Sequence, residues 1–125
     1  MKRAVILAAL IVPIASPVFA HHSFATFDTS KNVTITGTVK ELQWTNPHIF
    51  VQVLVPDASG RAEEWSLESV SVGTARRLGW TPTIIKTGDK VTVYLHPLRD
   101  DSKGKGGSLT AIVLPSGQVL GQIPQ

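Results

Sequence analysis

Four histidines and three tryptophans carry most of the chemistry open to this chain. His21 and His22 are adjacent and follow a segment that reads as a cleavable leader. With His21 at the mature N-terminus, its α-amine and imidazole can chelate one metal ion together, and His22 adds a second imidazole. Nitrogen donors of this kind favour Cu(II), with Zn(II) and Ni(II) behind it. A third imidazole from His96 or His48 would close an all-nitrogen site. Each of these residues also has a plainer reading. A His-His start is an ordinary soluble end and a generic weak copper binder. His48 follows Asn46-Pro47, where polar side chains serve a turn by bonding backbone. His96 closes a strand, where an exposed imidazole needs no partner.

The second candidate is an aromatic surface. Trp44, Asn46, Trp65 and Trp80, with Phe50 and Tyr94 beside them, form a ligand-binding set if they line one groove. The competing reading is that tryptophan in a small domain without disulfides belongs to the core.

No enzyme constellation is present. Ser66, Ser69 and Ser71 lack a nucleophile elbow. Glu63-Glu64 and Asp100-Asp101 are adjacent pairs, which point apart on a strand and read as solvated charge. Lys103-Gly104-Lys105-Gly106-Gly107 lacks the spacing of a phosphate loop and reads as flexible linker. With no cysteine, thiol redox chemistry, Cys-type zinc sites and cysteine nucleophiles are excluded. The expectation is a protein that is not an enzyme.

The elements that must position these residues begin after the leader. Met1-Lys2-Arg3 is a basic head, Ala4 to Phe19 is apolar apart from Ser16, and Val18-Phe19-Ala20 is a small-residue exit. That is a signal peptide over 1–20, cut after Ala20. The apolar run is too short and too proline-rich for a spanning helix, so no membrane span is expected after cleavage. Localisation follows as periplasmic or secreted. Of the 125 residues, roughly 100 remain, one domain's worth, and a core of that size can stand without disulfides. Loss of Lys2 and Arg3 brings the 12 basic side chains close to balance with the 9 acidic ones. No clustered basic face remains, so no nucleic-acid partner is expected.

Residues 21–31 read as an arm with Phe24 and Phe27 as anchors, ending in the turn cluster Thr29 to Asn32. Val33, Ile35, Gly37 and Val39 alternate with Thr34, Thr36 and Thr38, which is a strand. The apolar phase then shifts to Leu42 and Trp44, which predicts a bulge or bend. Asn46-Pro47 turns the chain into a second strand with Ile49, Val51, Val53 and Val55 on one face. Pro56 to Gly60 is a hairpin loop, and Ala62 to Glu68 is strand three. Spacing from Val70 to Gly79 is loosely helical, with Gly79 as the C-terminal cap. Val91, Val93 and Leu95 mark strand four, Pro97 to Gly107 a polar loop, and Leu109 to Leu114 strand five. Gln118 to Gln125 reads as a tail. The order β-β-β-α-β-β is that of an OB-type barrel. The fold class expected is all-β with one short helix, a five-stranded OB-like barrel over 32–120 with a tail at 121–125; a small β-sandwich is the alternative. In the barrel, His96 falls near the start of strand one and the arm, which favours it over His48 as the third ligand.

Several motifs now stand together: His21-His22-Ser23, Trp44-Thr45-Asn46-Pro47-His48, Leu78-Gly79-Trp80, Gly88-Asp89-Lys90-Val91 and Pro97-Leu98-Arg99-Asp100. They resemble a family of small secreted bacterial proteins known only as a domain of unknown function. The resemblance spans nearly all of the mature chain and is most specific at the His-His-Ser start and the Asn-Pro-His turn. One departure is the loop after Asp100, where Asp101-Ser102 precede the glycines and lengthen it. The resemblance implies a secreted β domain and brings no activity with it. Two functions remain in view. One is a barrel that binds copper or another divalent metal at its mature N-terminus. The other is a metal-free module that holds a periplasmic protein or a small ligand.

Overall fold

Alternating side chains from Val33 onward form the first and longest strand of the computed structural model, which describes residues 26–125. The expected leader over 1–20, and His21, His22 and Phe24, lie outside the described residues. Strand β1 spans Val33–Gln43, β2 Phe50–Pro56 and β3 Ala62–Glu68. Helix α1 spans Val72–Arg77, and β4 Lys90–Pro97, β5 Lys105–Val113 and β6 Val119–Gly121 follow.

Strand β1 pairs antiparallel with two neighbours. Its first half lies on β4, with Val33 opposite Leu95 and Thr38 opposite Lys90. Its second half lies on β2, with Thr38 opposite Leu54 and Gln43 opposite Phe50. The register slips between Val39 and Glu41, so the expected phase shift is a bulge that bends the strand from one side of the barrel to the other. Gly37 sits at that bend, where a side chain would collide with the Leu54 carbonyl. Strand β2 then pairs with β3 through the Pro56–Gly60 loop, where Asp57 Oδ1 accepts from the backbone N–H groups of Ser59 and Arg61.

Closure comes from a stretch the sequence presents as linker. Lys105 to Ser108 is not loop; it is the start of β5 and pairs parallel with Trp65 to Glu68 of β3. The reason is steric. A Cβ on Gly106 would overlap the Ser66 carbonyl oxygen, and one on Gly107 the His96 carbonyl oxygen. These glycines let three backbones meet; flexibility is not their role. The rest of β5 pairs antiparallel with β4. The ring β1-β2-β3-β5-β4 is therefore a closed five-stranded barrel, and a two-sheet sandwich is excluded. The segment read as a tail contains β6, which pairs Val119 to Gly121 with the end of β5.

Inward side chains of the ring fill the interior. Val39, Ile49, Val51, Val53, Leu67, Val93, Leu95 and Ile112 are all buried. Burying each such side chain stabilises the fold by about 1.5–3 kcal/mol. Helix α1 begins at Ser71, whose Oγ accepts from the Thr74 N–H at 3.2 Å, and it contributes Ala75 to the same core. Gly79 follows at φ 86, a left-handed value that ends the helix. No helix among the described residues is long and apolar enough to cross a membrane.

Candidate functional site

The β1–β2 loop is held from both ends. Across its mouth, the Ile49 N–H donates to the Val70 carbonyl at 2.9 Å and the Ser69 N–H to the Ile49 carbonyl at 2.8 Å. The Asn46-Pro47 peptide is cis. Asn46 Oδ1 accepts from the Val72 N–H at 3.1 Å, one of the helix-start donors that lack a partner within the helix. The loop's exit is thereby fixed against the end of β3.

That placement brings His48 to Glu68. Phe50 and Glu68 oppose each other in the β2–β3 ladder, and His48, two residues before Phe50, reaches across to the carboxylate. Its Nδ1–H donates to Glu68 Oε1 in a short contact. The imidazole is 41% exposed and the carboxylate 22%, so the ring remains reachable while its partner sits deeper. A cleft at this point is lined by Thr26, Pro47, His48, Phe50 and Glu68. Thr26, on the described part of the N-terminal arm, is one wall of this cleft.

The arm is pinned from there on. The Thr26 carbonyl accepts from the Arg99 N–H at 3.0 Å, Phe27 bridges to Leu98, and the Asp28 N–H donates to the Pro97 carbonyl at 2.8 Å. Phe27 is buried, as an anchor should be. The Ser30 hydroxyl and then the Lys31 ammonium, donating to the Asp28 carboxylate, hold its pKa down at about 2.

His96 lies at the other end of the arm. It does fall near the start of β1, because β4 runs antiparallel to it. Its Nδ1–H donates to the Lys31 carbonyl at 2.8 Å. It lines a separate cleft with Thr29, Asn32, Thr110 and the C-terminal residues. His48 and His96 thus stand in different clefts, and among the described residues no group of three or more His, Asp or Glu gathers as a metal cage.

The aromatic set does not form one groove. Trp80 is 4% exposed and belongs to the core. Trp44 and Trp65 are partly buried and pack against it. Trp65 Nε1 donates to Glu63 Oε1 at 3.0 Å. Asn46 is committed to the helix start, and Phe50 alone of this set lines the His48 cleft. The acidic pair of the β4–β5 loop is used internally: Asp100 accepts from the Ser102 N–H, Asp101 pairs with Lys105, and both pKa values are lowered by these contacts.

Glu68 is the site residue the sequence did not single out. The signal was available in the hairpin: counting the ladder outward from the Pro56–Gly60 loop sets Glu68 beside the entrance of strand two.

A family model described as a family of unknown function, DUF6152, matches residues 8–107. Among solved structures, the barrel resembles a mitochondrial single-stranded DNA binding protein from S. cerevisiae. The likeness has a TM-score of 0.50 at 13% identity, over 68% of this chain and 93% of the other. A selenomethionine-labelled crystal from the same organism gives 0.49 at 12%, over 68% and 94%. At such identity the likeness concerns the OB fold alone. No curated protein is significantly similar to the chain.

Proposed function

The chain belongs to that family of unknown function, and from this premise we propose that it is a small periplasmic or secreted barrel that binds copper at its mature N-terminus. His21 gives the α-amine and imidazole, and His22 a further imidazole; the barrel contributes the rest. Zn(II) and Ni(II) are weaker occupants of the same nitrogen set. The role is binding or delivery, without turnover.

The observation that carries this reading is the point where the arm meets the barrel. Thr26 lines a cleft with an exposed imidazole whose Nδ1 is already occupied by a carboxylate. Ring nitrogens in metal sites commonly have that support on the nitrogen facing away from the ion. Nucleic acid is disfavoured as a partner. Glu41, Glu64 and Glu68 share the outer face of β1–β3 by strand register, and Lys40 there is paired with Glu64 at 2.8 Å. A phosphate backbone needs the opposite charge on such a face.

The test is N-terminal sequencing of secreted protein, followed by Cu(II) affinity measured by competition with a chelator. The expected outcome is a start at His21 and one tight site, lost in His21→Ala/His22→Ala. A start elsewhere, or unchanged affinity in the double variant, would defeat the reading.

A second reading has its own observation. Leu78, Val119 and Ile123 are the exposed large hydrophobic residues among those described, and Leu78 and Val119 share one cleft near β6. A metal-free module that holds a periplasmic protein or small ligand would use such a patch.

A further inference from the structure

We propose that the cleft around His96 binds an uncharged sugar ring, held by His96, Asn32, Gln122 and Thr110, with Ile123 against its C–H face. The site lies wholly within the described residues and is independent of the N-terminal copper reading.

Two irregularities of the backbone make the cleft. In the β4–β5 ladder Tyr94 opposes Ala111 and Leu95 opposes Leu109, so Thr110 is an inserted residue without an opposite number. A bulge of this kind re-aims the side chain it carries. Gly121 closes β6 at φ 90, with its α-carbon so near the Thr110 carbonyl that a methyl would overlap it. The Gln122 N–H then donates to that carbonyl at 2.9 Å, which sets Gln122 and Ile123 beside Thr110. Thr29 and Asn32, from the turn before β1, complete the polar lining. The cleft measures about 580 Å³, the size of a small-molecule site.

The polar groups here are unspent. Thr110 Oγ1 is buried and has no hydrogen-bond partner among the described residues, a state in which few buried groups are left. The His96 ring is fixed by its Nδ1–H, which donates to the Lys31 carbonyl at 2.8 Å, so Nε2 of the neutral ring is an acceptor. The side chains of Asn32 and Gln122 make no hydrogen bond to other described residues, and each carries amide donors and an acceptor. The outer face of β1–β3 differs in this respect. There Gln52 Nε2 donates to Gln43 Oε1 and Ser66 Oγ, and Gln43 Nε2 donates to Glu41 Oε2. Those side chains satisfy one another, whereas those around His96 are available to a ligand. A hydroxyl entering the cleft reaches Thr110 when the Gln122 side chain, which no bond holds, swings aside.

Charge selects the ligand. No side chain lining the cleft is Lys, Arg, Asp or Glu. A phosphate or carboxylate would lack the cation it requires, and a metal ion would lack its carboxylates. What remains is a neutral molecule with several hydroxyl or amide groups on one edge and an apolar face. Ile123, 40% exposed, and Pro124 supply the apolar contact. A sugar ring has both features.

The experiment is a titration of the isotope-labelled protein with N,N′-diacetylchitobiose, read from its amide shifts. Saturable shifts should centre on Asn32, His96, Thr110 and Gln122. Asn32→Ala and Gln122→Ala should each weaken binding about fivefold to tenfold, the loss of a neutral hydrogen bond. Thr110→Val should weaken it by a similar factor while preserving or raising the melting temperature, because it removes a buried hydroxyl that the fold leaves without a partner. Glucosamine, which is cationic, and glucuronate, which is anionic, should each bind about tenfold more weakly than glucose, since a charge enters without a counter-charge. Chitohexaose separates the two sources of such a ring: tighter binding than the disaccharide assigns a glycan chain and equal binding a free sugar, and both support the site. The absence of saturable shifts would overturn the proposal. So would shifts centred on Phe50, Gln52 and Ser66, which would place the sugar on the outer face of β1–β3. Equal affinity for glucose and glucuronate would overturn the choice of an uncharged ligand. A lower melting temperature in Thr110→Val would make its hydroxyl structural and remove it from the site.

Discussion

Asn46 Oδ1 accepts the Val72 N–H at 3.1 Å, which joins the β1–β2 loop to the start of α1 across 26 residues of chain. The bond satisfies a donor that the helix itself cannot, and it holds the loop that presents His48. Asn46→Ala should destabilise the protein by about 1 kcal/mol, the usual loss when a helix start forfeits a side-chain acceptor. Asn46→Asp keeps the acceptor and should recover most of it. Urea denaturation of the three proteins is the measurement.

Barrel closure depends on Gly106 and Gly107. Each packs its α-carbon against a neighbouring carbonyl, Ser66 and His96 respectively, where no methyl fits. Gly106→Ala should cost about 1–3 kcal/mol through overpacking against the Ser66 carbonyl and should loosen the β3–β5 seam first. Amide hydrogen exchange will register this as faster exchange along Lys105 to Ser108 than along the β1–β2 ladder.

Asp28 gives the arm a pH dependence of known sign. Its pKa is lowered from 3.8 to about 2, first by the Ser30 hydroxyl and then by Lys31. A carboxylate lowered in the folded state stabilises that state fully above its unfolded pKa. The contribution fades as pH falls through the folded one. The arm's docking should therefore be constant from neutral pH to about 4 and weaken towards pH 2. Carboxyl NMR should place the Asp28 midpoint at about 2, and Asp28→Asn should abolish the acid transition at the Phe27 amide.

Trp80 tests core against surface. It is 4% exposed, so Trp80→Ala should cost about 3–5 kcal/mol. Leu78, two residues away and 62% exposed, should change stability by no more than about 0.5 kcal/mol as Leu78→Ala. Thermal melts of both variants check this directly.

Much of the barrel is legible where side chains alternate. The alternation of Val33 to Val39 and its phase shift mark β1 and its bulge, and Ala62 to Glu68 coincides with β3. Legibility fails where backbone contacts replace side-chain pattern. Lys105-Gly106-Gly107 has the composition of a linker, and only the approach of Ser66 and His96 explains its glycines. Strand β6 is three residues long, too short for a period to show. The His48–Glu68 pair spans 20 residues and exists only once hairpin register is set. Trp44, Trp65 and Trp80 suggested a groove by type, but residue type does not reveal which way a ring points.

The proposed copper site includes the mature α-amine. Electron paramagnetic resonance of Cu(II) bound to protein beginning at His21, beside the same protein carrying one added N-terminal glycine, tests it most directly. An all-nitrogen, one-to-one signal is expected in the first. The glycine should weaken it sharply, because it moves the amine away from the His21 imidazole. Identical spectra and equal, weak affinity in the two proteins would contradict it.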